Sequence, residues 1–178
     1  FTAFWPGTQR ASGLIQLRVG RELLASVAAG ARRPPIVRLM GITSSGNGWP
    51  ERMNVYHEDA EGQPYYEFAV VDETLDAVLA AGAIPFIDLS FTPDALSSGG
   101  AGAQDLGAFP PRDIDRWYEL VRSIVQHSVE RYGSAAVAQW WWEVWNEPDL
   151  QNYWNGGTEE YLRLYDHPDF NYIAYNTA

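Results

Sequence analysis

A carboxylate and a carboxamide stand side by side at the end of the most aromatic segment of this chain. Residues 140–150 read WWWEVWNEPDL, a run that predicts a buried β-strand, covered on both faces and ending at Asn146 and Glu147. Pro148 has no backbone N–H and cannot continue a strand ladder. Where parallel strands form a barrel, catalytic groups lie at their carboxyl ends, so Glu147 is a candidate acid or base. The alternative is that Glu147 only caps the loop or helix that follows.

Strand-like and helix-like segments alternate along the chain and must position Glu147. Short apolar runs predict strands over residues 2–5, 35–40 and 84–89, besides the aromatic run. Apolar residues at helical spacing predict helices over residues 14–29, 68–81, 113–132 and 159–165. Asp113 is expected to cap the third helix, and Gly82 and Gly133 are expected to end the second and third helices. Residues 41–62 and the Gly/Ser-rich stretch after the third strand are predicted loops.

This alternation predicts an α/β fold with a parallel sheet. Four strand–helix units fit the sequence, and a closed (β/α)8 barrel needs eight. The sequence starts at Phe1 without a Met and has no polar tail, so we expect a truncated chain in which residues 1–178 are half of a barrel. An open half-barrel would leave strand edges unpaired, so a partner half or self-association into a homo-oligomer is expected if the half exists on its own.

Composition argues against several classes of partner. The formal net charge of -11 disfavours nucleic acid and anionic membrane surfaces, and no apolar run approaches the ~18–20 residues that span a bilayer. Eight Trp and ten Tyr suit a sugar-binding cleft, because flat rings stack on the apolar faces of sugars, although a large aromatic core would use the same residues. The absence of cysteine excludes disulfides and thiolate metal sites and leaves both a cytoplasmic and a secreted location open.

The histidines give no sign of a metal centre. His57, His127 and His167 have no ligand spacing with one another or with carboxylates. His127 falls within a predicted helix and is expected to be a surface or packing residue. We therefore expect neither a metal nor another cofactor.

Five segments in order carry a family resemblance. They are RLMGI at 38–42, VYHED at 55–59, IPFIDLSFTP at 84–93, WEVWNEPDL at 142–150 and YWNGGTEEYLRLYD at 153–166. Together they resemble glycoside hydrolase family 39, the β-xylosidase and α-L-iduronidase group within the clan of (β/α)8 retaining glycosidases. The Asn-Glu-Pro triplet alone is shared across that clan, whereas the longer EVWNEPDL string with the downstream YLRLYD is specific to the family.

The resemblance implies a (β/α)8 TIM barrel of which this chain is the N-terminal half, and it assigns Glu147 the general acid/base role after the fourth strand. A retaining glycosidase needs two carboxylates ~5–5.5 Å apart. The acid must keep its proton near neutral pH, and an apolar, Trp-rich surrounding would raise its pKa. Asn146 would bond the sugar 2-hydroxyl; its alternative role is to satisfy the turn. The nucleophile Glu belongs after the seventh strand, beyond residue 178.

Three further residues receive roles from the resemblance. Arg38 matches the strand-two arginine that supports the nucleophile, and a permanent cation there would hold that carboxylate ionised. An ion pair of Arg38 with Glu143 or Asp88 inside the barrel is the alternative, and both roles can hold together. Phe91 and Trp154 match positions that line the sugar site as aromatic platforms, with packing as the alternative.

Two further residues of the aromatic run, Glu143 and Trp145, also have predicted positions. Glu143 lies four residues before Glu147 on the same strand parity, so it should face the barrel interior rather than the substrate. Trp145 is expected to pack in the core.

The chain departs from the family pattern at Met40, where the family usually has a His that contacts substrate hydroxyls, and residues 43–46 replace a commonly acidic segment.

The resemblance implies a retaining, exo-acting glycosidase, with a xyloside as the substrate. The alternatives are an endo-acting polysaccharide hydrolase of the same clan and a catalytically silent carbohydrate-binding relative. Met40 slightly favours the silent relative, and the retained Asn146 and Glu147 oppose it. With one of the two carboxylates, the chain alone is expected to be inactive.

Overall fold

The computed structural model describes residues 3–4, 18–44, 53–99 and 108–166. Its elements follow in the order β1 Ala3–Phe4, α1 Arg18–Gly30, β2 Ile36–Leu39, β3 Tyr56–Glu58, β4 Pro64–Tyr66, α2 Ala69–Ala80, β5 Ile84–Asp88, α3 Ile114–Tyr132, α4 Ser134–Val137, β6 Trp141–Glu143 and α5 Thr158–Arg163. The predicted alternation of strands and helices is confirmed within these ranges. The predicted helical residues 14–17 lie outside them.

Four of the strands form one parallel sheet in the order β1-β2-β5-β6. In its register Ile36 lies opposite Ile84, and Asp88 lies opposite Glu143. The predicted parallel α/β fold is therefore confirmed for these four strands. Their carboxyl ends meet at one edge of the sheet, which is where parallel α/β folds hold their ligands.

The two faces of this sheet differ in burial. Val37, Leu39 and Ile87 are buried in a core that they share with apolar residues of α2 and α3. The opposite face carries half-buried Phe86 and Trp141, which is 49% exposed although its ring contacts Phe86. Within the described residues, the expectation that the aromatic strand is covered on both faces is wrong, because the Trp141 side chain on the face opposite the core stays half exposed.

The predicted loop over residues 41–62 contains a strand that the sequence did not reveal. β3 and β4 form an antiparallel hairpin, in which Tyr56 lies opposite Tyr66. Glu58 on β3 accepts hydrogen bonds from Arg112 at 2.6 and 2.8 Å and from Arg116 at 2.7 Å. Charge-assisted hydrogen bonds thus connect the hairpin to the start of α3. The residues that form them are more than fifty positions apart in sequence, so no local sequence pattern predicts the hairpin.

The long helix α3 begins and ends where the sequence predicts. The Asp113 carboxylate accepts hydrogen bonds from the backbone N–H groups of Asp115 and Arg116, as an N-cap should. Gly133 follows the helix with a φ of 85°, a conformation that favours glycine. Among the helices in the described ranges, none has the length and apolar character needed to cross a bilayer.

Candidate active site

An arginine connects the carboxyl ends of three parallel strands. Arg38 of β2 donates through Nε to Glu143 Oε2 at 2.6 Å. Its Nη2 donates to Asn146 Oδ1 at 3.0 Å and lies 3.4 Å from Asp88 Oδ2. The structure therefore brings together Arg38 and Asn146, to which the sequence assigned separate roles. It also contains the ion pair that stood as the alternative for Arg38, with both carboxylates as partners.

The Arg38 guanidinium remains a cation in this setting. Burial alone would lower its pKa, but the hydrogen bond that it donates to Glu143 and the charges of Asp88, Glu143 and Glu147 raise the pKa overall. Its side chain keeps 34% of its surface exposed. Glu143 pairs with Arg38 on the sheet face opposite the helices, which agrees with the prediction from strand parity.

Asp88 is a fully buried carboxyl group at the end of β5. Burial raises its pKa to about 7; Arg38 and two hydrogen bonds from Ser90 oppose that rise, while the charge of Glu143 adds to it. The Ser90 N–H and hydroxyl donate to Asp88 at 3.1 and 2.8 Å. Sequence reasoning considered Asp88 only as a partner for Arg38. Its position at the last residue of a strand, on the same face as Arg38, is the signal that could have singled it out.

Glu147 has an unusual backbone. Its φ is +41°, in the left-handed region that non-glycine residues seldom adopt, and Pro148 further restricts the residue before it. The Leu150 N–H donates to the Glu147 carbonyl at 3.1 Å and closes the turn. Backbone strain of this kind clusters at functional sites.

The Glu147 side chain is exposed within the described part of the chain. The expectation that tryptophans of the preceding strand enclose it is wrong for these residues. The reversal of the chain at Asn146–Glu147 leaves Trp145 buried and turns Glu147 to the outside.

The aromatic residues predicted as sugar platforms lie in a packed cluster behind this turn. Phe91 stacks on Tyr153 with ring centroids 5.9 Å apart and meets Trp145 edge-on at 5.9 Å. Trp154 meets Trp145 edge-on at 5.0 Å. Phe91 is 4% exposed and Trp154 6%, so within the described residues both rings adopt the packing alternative. Trp145 packs in the core as expected and donates to the Tyr153 carbonyl at 2.8 Å.

Two of the three histidines have polar partners, and the third, His167, lies outside the described residues. His127 of α3 pairs with Asp72 of α2 at 2.7 Å. His57 lies 3.5 Å from the Glu67 carboxylate. Within residues 3–4, 18–44, 53–99 and 108–166, no group of three potential ligands could hold a metal ion. Met40 is buried with 8% exposure.

Comparison with known protein families identifies the family of this chain. The model for Glycosyl hydrolases family 39 matches residues 45–174, well over half of the chain. The chain belongs to glycoside hydrolase family 39. The resemblance in the sequence motifs is thereby confirmed.

Individual relatives of this family-39 chain include β-xylosidases. The enzyme of Geobacillus stearothermophilus is 38% identical over 125 residues, which are 64% of this chain and 24% of that protein. The enzyme of Caldicellulosiruptor saccharolyticus is 36% identical over 128 residues, 70% of this chain and 26% of that protein. The chain thus spans about a quarter of the length of these relatives.

A solved structure of a monomeric β-xylosidase from Caulobacter crescentus resembles the fold of this chain. It matches 93% of the chain with a TM-score of 0.70 at 25% sequence identity, and the match covers 31% of that protein.

Proposed function

We propose that the complete protein carrying this chain is a retaining glycoside hydrolase that acts on β-xylosides, with Glu147 as its general acid/base. The observation that carries the proposal is the position of Glu147, exposed and in a left-handed conformation directly after Asn146, which is bonded to Arg38. Membership of family 39 supports the reaction class. The β-xylosidase names of two relatives support the sugar.

The proposed reaction has two steps. First, Glu147 gives its proton to the glycosidic oxygen as the bond from that oxygen to the anomeric carbon breaks. A nucleophilic carboxylate from outside residues 1–178 forms a glycosyl ester at the same carbon. In the second step Glu147 accepts a proton from water, whose oxygen displaces the ester and releases the sugar with its anomeric configuration retained.

The neighbouring residues have supporting roles in this proposal. Asn146 donates a hydrogen bond to the sugar 2-hydroxyl, a contact that strengthens in the transition state. The Arg38 cation helps to hold the nucleophile ionised, in addition to its bonds with Glu143 and Asp88. The burial of Phe91 and Trp154 favours a role in packing behind the sugar site over one as exposed platforms.

We also propose that the four parallel strands are the first four of a (β/α)8 barrel, and that residues 1–178 are the N-terminal half of its catalytic domain. The half-open sheet face with Phe86 and Trp141 supports this arrangement, because a closed barrel fills its interior with side chains from all its strands.

Exo-action is proposed from the β-xylosidase relatives. Release of xylose from xylobiose with no internal cleavage of xylan would support it, and a rapid fall in xylan viscosity would indicate endo-action.

The test is turnover of aryl β-xylosides by the complete protein and by Glu147→Gln. Loss of a general acid costs about 10²–10⁴-fold, and the loss in the first step should be greatest for phenyl, a poor leaving group. Azide needs no base, so it should restore the second step in Glu147→Gln and yield β-xylosyl azide. The matched control is Glu159→Gln, which makes the same change at an exposed glutamate of α5.

Two results would contradict the proposal. Equal turnover by wild type and Glu147→Gln would remove Glu147 from the chemistry. Sugar binding without turnover of any β-xyloside by the wild type would instead identify a catalytically silent relative.

A further inference from the structure

The chemistry of Arg38 fixes which way the Asn146 carboxamide faces. A guanidinium carries five N–H donors and no acceptor, so the Asn146 atom 3.0 Å from Arg38 Nη2 must be the oxygen Oδ1. The Asn146 amide nitrogen is thereby directed away from Arg38. The part of the carboxamide left for a ligand is a pair of N–H donors, which selects a ligand oxygen as the partner.

Two carboxylates hold Arg38 in this orientation. Glu143 accepts from Nε at 2.6 Å, and this contact alone leaves the planar guanidinium able to swing around the Nε position. Asp88 supplies the second point of attachment from the neighbouring strand, 3.4 Å from the same Nη2 that binds Asn146. With contacts on two different nitrogens, the plane of the guanidinium is set.

Asp88 is the better fixed of these two attachments. Its side chain is completely buried, whereas that of Glu143 is 28% exposed. The Ser90 N–H binds Asp88 Oδ1 and the Ser90 hydroxyl binds Oδ2, so both oxygens have set positions. A residue whose rotamer is locked by burial and hydrogen bonds can hold its neighbours in the geometry that chemistry needs.

We propose that Asp88 is a positioning residue, which acts through Arg38 to keep the Asn146 N–H₂ group facing the bound sugar. The inference rests on the proposed function of the site. Asp88 is buried beneath Arg38 and does not itself touch substrate. Because the bond from Asn146 to the sugar strengthens in the transition state, loss of Asp88 should lower kcat more than it changes KM.

The experiment is a double-mutant cycle in the complete protein with an aryl β-xyloside. Asp88→Asn should lower kcat about tenfold and leave KM within about twofold, as expected for coupled residues of one hydrogen-bond network. In the Asn146→Ala background the same substitution should cost less than about twofold. An aryl 2-deoxy-β-xyloside, which lacks the oxygen that Asn146 binds, should likewise be turned over by Asp88→Asn and wild type at similar rates.

The control is Asp72→Asn, which makes the same chemical change in the pair between α2 and α3 and should leave kcat unchanged. If Asp88→Asn does not fold, Asp88→Glu keeps the carboxyl group, moves it by one methylene and should show the same dependence on Asn146.

An active wild type in which the Asp88 effect is equal with and without Asn146 would overturn this inference alone. A wild type that does not turn over β-xylosides would overturn the proposed function and this inference together.

Discussion

Glu147→Gly should be more stable than Glu147→Ala, although both substitutions should lower turnover by about 10²–10⁴-fold. An L-amino acid with a side chain is strained at the observed φ of +41°, and the following Pro148 crowds the same backbone. Glycine has no Cβ and adopts this conformation freely. Because the Glu147 side chain is exposed, removing it costs little packing in either variant.

The expected difference follows from two opposing terms. The left-handed conformation costs an alanine about 1–2 kcal/mol. Glycine loses more chain entropy on folding, by about 0.5–1 kcal/mol relative to alanine. At Glu147 the free energy of unfolding should therefore be about 0.5–1 kcal/mol higher for Gly than for Ala.

Asp149 provides a control in the same turn. It is exposed and does not have a positive φ, so only the entropy term acts there. The free energy of unfolding should be about 0.5–1 kcal/mol lower for Asp149→Gly than for Asp149→Ala. The order of the Gly and Ala variants should thus reverse between two positions only two residues apart.

The assay is equilibrium urea unfolding of the four variants in the complete protein, with the midpoint and slope measured for each. A Glu147→Gly variant that is less stable than Glu147→Ala, by the same margin as at Asp149, would refute the argument. In that case the backbone at Glu147 would not be left-handed in solution. Backbone strain would then no longer support the proposed role of Glu147 as the general acid/base.

Two further predictions concern Asp88 and Asp113. Burial raises the pKa of Asp88 from 3.8 to about 7, so the folded state keeps a proton that the unfolded chain releases. Stability should fall as pH rises from about 4 to 7, by up to about 4 kcal/mol at about 1.4 kcal/mol per pKa unit. Asp88→Asn should flatten that part of the curve of urea midpoint against pH, and an unchanged slope would contradict the prediction. Asp113→Ala removes a carboxylate that caps two backbone N–H groups of α3 and should cost about 1 kcal/mol by urea unfolding. Asp113→Ser should recover most of this loss, whereas equal stability of the Ala and Ser variants would exclude the cap.

The parts of the fold that local chemistry determines could be predicted from the sequence. Helix α3 begins at a residue that caps it and ends before Gly133, and both signals are readable in the sequence. The hairpin β3–β4 could not be predicted, because its strands have three residues each. Its position depends on bonds from Glu58 to Arg112 and Arg116, which are distant in sequence.

In the candidate site, too, some features could be predicted from the sequence and others could not. The sequence offered an ion pair of Arg38 with Glu143 or Asp88 as an alternative, and strand parity placed Glu143 on the interior face. In the structure both carboxylates lie against Arg38. Whether Phe91 and Trp154 are buried or exposed could not be predicted, since an aromatic ring has the same chemistry in a core as on a sugar platform. Only the packing of the surrounding residues decides which of its faces stay open.

The contacts of Arg38 also have a consequence for how the strands find their register during folding. A slip of β5 by one residue would place the apolar side chain of Ile87 or Leu89 where Asp88 now stands. The guanidinium would then keep Glu143 but lose its fully buried acceptor, Asp88. The same slip would also turn Asp88 toward the core face that Ile87 now occupies. The contacts of Arg38 with Asp88 and Glu143 therefore favour the observed register of β2, β5 and β6 over a slipped one.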